Sequence, residues 1–472
     1  MLLSPANRFE VRAIVDSRIV DEIRKIVGKE NVIDSLEERK CYSYDARTDG
    51  IVPDLIVFPS SAQEVSGILN LANKHLFPVI PRGAGTGLTG GSTPVVEGVV
   101  LVFTRMNRIL EIDAENLIAV VEPGVVTFTL QQEAAKHGLF YPPDPASFKY
   151  SSLGGNVAEC AGGPNSLKYG VTRDYVIGLE VVKPTGEILN TGVRTMKGVV
   201  GYDLTRLFVG SEGTLGVITK IIVKLLPLPE AKATVLALFK EVEDAARAVS
   251  AIIAARIVPS TLEFMDRASV RCSEKASPMG LPDDTGGLLL IEVDGNEESV
   301  GPQVEKIRKI LTEQNVMRCE VTRDPAEADK LWQARRVLSQ ATYNLNPVKI
   351  AEDVVVPRSQ IPALIRIIEG LEKKYGIPIL SFGHAGDGNF HVSIMIKDTP
   401  EDRHKAEEAV KDIFVETVRL GGTLSGEHGI GIAKSAYLDL ELSADVITAM
   451  KSIKTLFDPN NILNPGKIFK DG

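Results

Sequence analysis

Cysteine is scarce in this sequence, and the few that occur are far apart. Only four are present in 472 residues, namely Cys41, Cys160, Cys272 and Cys319, and no two of them form a CxxC pair. This spacing excludes classical zinc knuckles and iron–sulfur cluster motifs. Four separate thiols are typical of proteins that stay in a reducing cytoplasm. We therefore predict a cytoplasmic protein with no iron–sulfur centre of its own.

Excess basic charge and long apolar runs are also lacking. The chain carries 53 Lys and Arg against 62 Asp and Glu, a formal net charge of -9. Nucleic-acid binding would need a basic face, so we expect no nucleic-acid partner. Apolar runs such as 98–103 and 288–293 are strand-length, whereas a membrane-spanning helix needs roughly 20 residues. The opening MLLSPANRFEVR lacks the basic and apolar stretches of a secretory signal. We expect no membrane span.

Length and apolar patterning predict an α+β protein with more than one domain. A chain of 472 residues exceeds what a single core usually supports. The first 226 residues contain a helix over 11–40 with Gly28 as a stop signal, and then many short strand-like runs. We predict a first domain over 1–226, a second domain over 227–440, and a turn-rich segment over 441–472 that returns to the first domain.

The predicted second domain begins where the character of the chain changes, at residues 226–229 (LPLP). Longer amphipathic helices follow over 242–255, 304–314 and 361–375, with strand-like runs such as 288–293 between them. This alternation predicts an antiparallel sheet with helices on one side.

Three glycine-rich segments stand out in the first half of the chain. Residues 81–92 (PRGAGTGLTGGS) hold five glycines within nine positions, residues 142–170 are rich in Gly, Ser, Asn and Pro, and residues 210–219 read GSEGTLGVIT. Glycine lets a backbone turn several N–H groups towards one anion. The first segment does not match GxGxxG, which disfavours a nicotinamide site. Because connections are usually short, three long ones indicate a large, extended ligand.

In this order the three segments resemble the FAD-binding domain of the vanillyl-alcohol oxidase superfamily, the PCMH-type fold. The most similar branch contains D-lactate dehydrogenases, glycolate oxidase FAD subunits and D-2-hydroxyglutarate dehydrogenases, and the resemblance runs from about residue 45 to the C-terminus. It implies that residues 1–226 are the FAD-binding domain and residues 227–440 the substrate or cap domain. It also implies that the first segment wraps the pyrophosphate and that the others contact flavin or adenosine. The residues assigned to FAD are Arg82, Gly83, Ala84, Gly85, Thr86, Gly87, Leu88, Gly91, Ser92, Pro143, Asp144, Ser147, Gly154, Gly155, Asn156, Gly163, Gly170, Gly216, Val217, Ile218 and, in the C-terminal segment, Asn464.

The resemblance also bears on how FAD is held. Some covalently flavinylated relatives carry a histidine late in the first segment. Thr86 and Gly87 occupy that region here, and the nearest histidine, His75, precedes the segment. We therefore predict non-covalent FAD.

Three of the six histidines fall in two short motifs, GHAGDGNFH over 383–391 and SGEHGIG over 425–431. Glycines inside the first motif favour a turn between two strands, which would bring His384 and His391 to one point. Two histidines with a carboxylate are a common set for zinc, manganese or iron, although a lone histidine is more often an ordinary buried residue. The resemblance implies metal ligation by His384, His391 and Glu427, with His428 facing the flavin as base.

Oxidation of a 2-hydroxy acid would also need a cation for the substrate carboxylate. The resemblance points to Arg335, in the LWQAR stretch, and to Lys349, with Asn389 adding a hydrogen bond. A solvated helix face and a strand-edge charge are equally good explanations of the two cations. Arg336 directly follows Arg335, so either arginine could serve.

Three functions stay open at this point. The first is an FAD-dependent D-2-hydroxy-acid dehydrogenase acting on D-lactate or glycolate. The second is the flavin subunit of a larger electron-transfer assembly with little activity alone. The third is an alkyl-glycerone-phosphate synthase, which shares the fold. Without a second redox centre, the first two need an external acceptor, and we predict an electron-transfer flavoprotein or an iron–sulfur subunit. The sequence contains no GxSxG nucleophile motif and no P-loop, which disfavours hydrolases.

Overall fold

The computed structural model describes residues 15–470 and divides them into two compact units. The N/C unit contains residues 15–162, 171–228 and 427–470, and the central unit contains residues 163–170 and 229–426. The chain thus leaves the N/C unit twice and returns to it twice. None of the helices in the described residues combines the length and apolar character needed to cross a bilayer.

The described helices and strands alternate along the chain. The helices are α1 Ser17–Val27, α2 Leu36–Lys40, α3 Ala62–His75, α4 Thr127–Lys136, α5 Leu153–Glu159, α6 Ser166–Tyr169, α7 Leu204–Phe208, α8 Val242–Ala254, α9 Arg267–Ala276, α10 Glu297–Glu313, α11 Pro325–Ala341, α12 Ile361–Tyr375, α13 Pro400–Arg419, α14 Leu438–Glu441 and α15 Ala444–Phe457. The strands are β1 Val32–Ile33, β2 Leu55–Val57, β3 Val79–Arg82, β4 Val99–Val102, β5 Ile109–Asp113, β6 Ile118–Val121, β7 Leu139–Phe140, β8 Val176–Val182, β9 Ile188–Gly192, β10 Val217–Lys224, β11 Leu226–Pro227, β12 Ala231–Phe239, β13 Thr261–Asp266, β14 Gly287–Gly295, β15 Arg318–Thr322, β16 Val348–Val355, β17 Ile379–Gly383 and β18 Asn389–Ile396.

Two sheets form the framework of the N/C unit. The first has the order β1-β2-β4-β3, in which β2 and β3 both run parallel to β4. The second is antiparallel with the order β5-β6-β10-β8-β9. Strand β4 is buried throughout, as a parallel strand with both faces covered should be. The glycine-rich segment 81–92 leads from β3 towards β4, and segment 210–219 leads from α7 into β10, so these elements fix the positions of both loops.

Helix α3 shows how the N/C core forms. Ser61 caps it by accepting a hydrogen bond from the Glu64 amide, 3.2 Å away. Val65, Ile68 and Leu69 recur on one face and are fully buried in the same core cluster as α1 and β2. Each such side chain contributes roughly 1.5–3 kcal/mol on burial.

The central unit is built on a seven-stranded antiparallel sheet with the order β15-β12-β14-β13-β17-β18-β16. Leu236 and Leu290 on one face pack in a cluster with residues of α9 and α11. On the other face Ile291 is also buried, and Gly287 lies against α8. Odd- and even-numbered strand residues point to opposite faces of the sheet, and both sets are buried here. Helices therefore cover both faces. The prediction of helices on one side only is wrong.

The helix predicted over 11–40 is also wrong in its second half, and residues 11–14 lie outside the described part of the chain. Gly28 ends α1 with φ 88°, a conformation that glycine adopts at little cost. Residues 32–33 then pair with β2 before the short helix α2 begins. By contrast, the helix predicted over 361–375 is confirmed at both ends.

Candidate functional site

A cavity in the N/C unit, here called the loop cavity, is formed largely by the three glycine-rich segments. Several residues predicted to bind FAD line it, namely Arg82, Gly83, Gly91, Ser92, Gly154, Gly155, Gly216, Val217 and Ile218. Residues outside the predicted set complete the wall, namely Pro81, Phe103, Pro123, Ser152, Ala158, Glu159, Glu212 and Gly213. The structure therefore brings parts of all three segments to one place.

The glycines of this wall are there because neighbouring groups leave no room for a side chain. A Cβ atom at Gly83 would collide with the Ser152 hydroxyl, and one at Gly91 would collide with the Glu159 carboxylate. At Gly154 it would lie 2.6 Å from the ring of Pro123. The missing side chains therefore let the three segments pack closely, and they also leave backbone N–H groups uncovered, as expected of a phosphate-binding loop.

Charged and polar groups in the loop cavity fit FAD. Arg82 is only 7% exposed, and burial lowers the pKa of its guanidinium, with partial compensation by Asp45. It provides a cation suited to a pyrophosphate. The Oε2 atom of Glu159 is buried with no hydrogen-bond partner in the described part of the chain. A ligand with N–H donors would satisfy this atom, and flavin has such donors.

Other predicted FAD residues lie in the N/C unit without lining the loop cavity. Asn156 is buried on α5 and donates a hydrogen bond to Thr127 Oγ1 at 2.7 Å, a structural contact. Asn464 donates to the backbone oxygens of Gly91 and Glu212 at 2.8 and 2.7 Å, so it ties the first and third segments together. The remaining residues of this group are Ala84, Gly85, Thr86, Gly87, Leu88, Pro143, Asp144 and Ser147. Gly163 and Gly170 bound the short segment that belongs to the central unit.

His428 lies in the N/C unit on a loop that follows directly after the central unit. Its Nε2 atom is 3.8 Å from Glu427 Oε1, and both side chains are mostly buried. Its backbone oxygen accepts a hydrogen bond from the hydroxyl of Thr89 at 2.9 Å. The loop carrying the predicted base is thus bonded to the first glycine-rich segment.

The central unit gathers a second group of residues, here called the histidine cluster: Glu263, Arg335, Asp353, His384 and His391. As predicted, a turn between β17 and β18 brings the two histidines together, and their ring centroids are 5.2 Å apart. Gly388 makes this turn with φ 88°, and a Cβ there would collide with the backbone oxygen of Val356.

Glu263 lies at the centre of the histidine cluster. Its carboxylate contacts His384 Nδ1 and accepts a hydrogen bond from Arg335 Nε at 2.6 Å. Burial raises the pKa of this carboxyl, but the charges of His384 and Arg335 outweigh burial and lower the pKa to about 2. Glu263 is therefore a permanently charged group that orients both neighbours. Arg335 also lies over the Phe382 ring, 4.8 Å from its centroid.

Asp353 has the corresponding position beside His391. The two residues face each other across strands β16 and β18, with 3.8 Å between His391 Nδ1 and Asp353 Oδ1. Asp353 also accepts hydrogen bonds from the side-chain amide of Asn389 at 2.5 Å and from the Gly426 N–H at 2.9 Å. Gly426 directly precedes Glu427, so Asp353 anchors the chain next to a predicted metal ligand.

The residues predicted to bind substrate differ in their surroundings. The Asn389 amide nitrogen is engaged with Asp353 and with the Val354 oxygen, which leaves Oδ1 as the atom to meet a substrate. The ammonium of Lys349 donates to the oxygen and hydroxyl of Ser339 at 3.0 and 2.8 Å.

Arg335 and its neighbour Arg336 on α11 make different contacts. Arg335 belongs to the histidine cluster, whereas Arg336 is exposed and pairs with Asp329 at 2.6 Å. Of the two, only Arg335 lies among the predicted site residues. Another cavity of the central unit, of about 660 Å³, is lined by residues of β15 and α11 and by none of the predicted site residues.

Four functional candidates were missed at the level of sequence: Thr89, Glu159, Glu212 and Glu263. Glu263 does leave a signal, since it is a carboxylate flanked on both sides by apolar residues within the strand TLEFMD. A buried charge is costly unless it is paired, so such a residue predicts a cationic partner. Thr89, Glu159 and Glu212 lie in loops where polar residues are ordinary, and the sequence gives no comparable signal.

Comparison with known proteins finds two family models that match this chain. Residues 53–192 match a family model described as the FAD binding domain, and residues 228–468 match one described as FAD linked oxidases, C-terminal domain. The chain is 47% identical over 461 residues to the glycolate oxidase subunit GlcD of Bacillus subtilis, covering 97% of each chain. It is 36% identical over 465 residues to a D-lactate dehydrogenase of Anaerostipes hadrus, covering 96% of this chain and 98% of the relative.

Among solved structures, p-cresol methylhydroxylase with substrate bound superposes with a TM-score of 0.81 and 20% identity, covering 96% of this chain and 97% of that one. At this identity the likeness concerns the fold alone.

Proposed function

This chain belongs to the family of FAD-linked oxidases, and from that membership we propose that it oxidises a small D-2-hydroxy acid, either D-lactate or glycolate, to the 2-oxo acid. The family and fold confirm the predicted flavoprotein oxidoreductase with vanillyl-alcohol-oxidase architecture. Both relatives in sequence carry names of hydroxy-acid oxidising enzymes, which favours this reaction over the synthase alternative.

The loop cavity supports non-covalent FAD as the cofactor. Its crowded glycine backbone and the buried Arg82 suit the phosphates of the cofactor. The buried carboxyl of Glu159 suits the N–H donors of the flavin ring. When bound, flavin supplies the acceptor for two electrons. This cavity in a chain 47% identical to a glycolate oxidase subunit is the observation that carries the proposal.

In this proposal His428 is the general base that takes the substrate hydroxyl proton. An imidazole has a pKa near neutrality, which suits proton removal at physiological pH. The residue is mostly buried, with 18% of its side chain exposed, and its loop is held by defined hydrogen bonds. Both features favour a fixed orientation of the ring.

We also propose a divalent metal, zinc, manganese or iron, held by His384, His391 and Glu427. The carboxylate of Glu263 at His384 Nδ1 is the kind of partner that orients metal-ligating histidines and directs Nε2 to the metal. Asp353 Oδ1 lies 3.8 Å from Nδ1 of the second histidine, His391, without a hydrogen bond between them. Gly426, held by Asp353, fixes the chain next to Glu427. A divalent cation would lower the pKa of the substrate hydroxyl.

Arg335 is the cation that we assign to the substrate carboxylate. Its Nε is engaged by Glu263, so the guanidinium is oriented in advance and its Nη groups can meet a carboxylate. Lys349 and the Oδ1 atom of Asn389 complete the proposed set. Arg336 is not part of it, because it pairs with Asp329 at the surface.

Anaerobic titration tests the substrate proposal. Purified holoprotein is mixed with D-lactate, L-lactate, glycolate and D-2-hydroxyglutarate in turn, and flavin absorbance is followed. We expect bleaching by D-lactate or glycolate and much slower bleaching by L-lactate. Flavin that stays oxidised with every hydroxy acid would contradict the proposal.

The electron acceptor is proposed to be another protein, either an electron-transfer flavoprotein or an iron–sulfur subunit. A relative that matches along nearly its whole length is named as a subunit, which supports a partner. The segment after β9 exposes Met196, Val199, Val200 and Tyr202 by 80 to 100%. Exposed apolar groups this close together are typical of protein interaction sites.

Variants of this segment test the acceptor proposal. The double variant Val199→Ser, Val200→Ser should leave flavin reduction by substrate unchanged and slow electron transfer to the acceptor protein. The control is Leu456→Ser, which alters another exposed apolar residue, on α15. Equal transfer rates in both variants, or fast peroxide formation by the isolated chain, would contradict it.

A further inference from the structure

The loop that carries His428 is bonded to two of the glycine-rich segments that form the loop cavity. From the first segment, the Thr89 hydroxyl donates to the His428 oxygen at 2.9 Å, and the Thr89 oxygen accepts from the Ile432 N–H at 2.8 Å. From the third segment, the two carboxylate oxygens of Glu212 accept the N–H groups of Ile430 and Gly431, each at 2.7 Å. The backbone is thus held on both sides of Gly429.

Glycines allow this close contact on the His428 side. A Cβ atom at Gly429 would collide with the Glu159 carboxylate and lie 3.0 Å from Glu212 Oε1. One at Gly431 would collide with the Thr89 backbone oxygen. Their φ angles of 76° and 52° also lie in the region that favours glycine. The HGIG sequence after Glu427 is therefore matched to Thr89, Glu159 and Glu212.

Hydrogen bonds distinguish the two buried carboxyls. Burial raises the pKa of each, and the negative charges of Glu212 and Asp45 raise the pKa of Glu159 further. At Glu212 the backbone N–H donors of Ile430 and Gly431 oppose the rise. The His428 loop therefore stabilises the charged form of Glu212.

We propose that Glu212 is a positioning residue for His428, fixing the loop of that histidine together with Thr89 of the first glycine-rich segment. Besides lining the loop cavity, Glu212 acts on His428 through its hydrogen bonds to the backbone N–H groups of residues 430 and 431. The inference rests on the proposed role of His428 as base.

Amide hydrogen exchange on the FAD-loaded holoprotein tests the anchoring directly. In Glu212→Gln an amide NH₂ replaces one acceptor and the charge is lost, so peptides covering 428–433 should exchange roughly 10- to 100-fold faster. The matched control is Glu122→Gln. Glu122 is likewise a buried carboxylate of the N/C unit that accepts a backbone N–H, that of Arg108 at 2.8 Å. That control should leave exchange at 428–433 unchanged.

Stopped-flow flavin reduction by saturating substrate supplies the second readout. Glu212→Gln should slow the limiting reduction rate by at least roughly tenfold while substrate affinity changes little, because the variant misplaces the base without touching the substrate site. Thr89→Val keeps the side-chain shape and removes one hydrogen bond, so it should slow reduction several-fold. It is the second variant if Glu212→Gln does not fold.

Wild-type exchange at 428–433 or a wild-type reduction rate in Glu212→Gln would overturn the positioning proposal, as would a wild-type rate in Thr89→Val where Glu212→Gln does not fold. His428→Ala separates this from failure of the proposed function. If His428→Ala itself reduces flavin at the wild-type rate, the role of the histidine is wrong, and with it the positioning role. If His428→Ala is slow while Glu212→Gln is fast, only the positioning role is wrong.

Discussion

The contacts of Glu263 with His384 and Arg335 predict a large and specific effect of Glu263→Gln. The change keeps the size of the side chain and removes its charge. Two donors, His384 Nδ1 and Arg335 Nε, then face a neutral amide in a fully buried position. Arg335 is left with an uncompensated positive charge, which is the costly outcome for a buried ion pair.

Two independent routes give the magnitude of this effect. Removing one partner of a buried pair costs roughly 3–5 kcal/mol. The fall in the pKa of Glu263 from 4.5 to about 2 corresponds to about 3 kcal/mol of preferential stabilisation of the charged form. For a unit of this size, about 3 kcal/mol lowers Tm by roughly 10 °C.

Differential scanning calorimetry measures the effect, with Glu320→Gln as the matched control. Glu320 lies in the same sheet and pairs with Arg318 at 2.5 Å, but both side chains are exposed, so this pair contributes at most about 1 kcal/mol. Metal affinity measured on both variants adds a functional readout, and Glu263→Gln should lose roughly 10- to 100-fold. A Tm within 2 °C of wild type together with unchanged metal affinity would refute the assigned role of Glu263.

Three further outcomes follow from the proposed site. His428→Ala should retain FAD and slow flavin reduction at least roughly 10²-fold, and an unchanged stopped-flow rate would remove this residue from the mechanism. Chelation should abolish activity and re-addition of zinc, manganese or iron should restore it, whereas His384→Ala should not recover; full activity of metal-free protein would make the histidines structural. Acid precipitation should leave the yellow flavin in the supernatant, and colour in the pellet would mean a covalent link.

The sequence predicted best those elements whose burial pattern is regular and local. Helix α12 was placed at both ends because its apolar residues keep helical spacing throughout. The presence of helices on both faces of the central sheet was not predicted. A strand that is buried on both faces does not alternate between apolar and polar residues, so its sequence does not show which face is covered. Segment 163–170 joins the central unit through contacts such as that of Lys168 with Asp294. Lys168 and Asp294 are 126 positions apart, so no local sequence pattern predicts their contact.

The same reasoning separates the site residues that were found from those that were missed. His384 and His391 are close in sequence and joined by a glycine turn, so their meeting could be predicted. Glu263 reaches His384 across 121 positions, and Glu212 reaches the His428 loop across more than 200. Only the sheet order and the loop paths bring such pairs together.

The glycines of the three rich segments need a second explanation besides ligand approach. From the sequence they indicate positions where the backbone comes close to a cofactor. In the structure several of them also lie against side chains of the protein: Gly85 against the Arg82 guanidinium, Gly90 against Ile432, and Gly91 against Glu159. A Cβ atom at any of these positions would displace a neighbouring side chain before it met a ligand. The glycines therefore build the loop cavity by letting its walls pack on each other, and ligand access results from that packing. Substitution of Gly91 or Gly429 should thus perturb Glu159 and the His428 loop even where the cofactor itself has room.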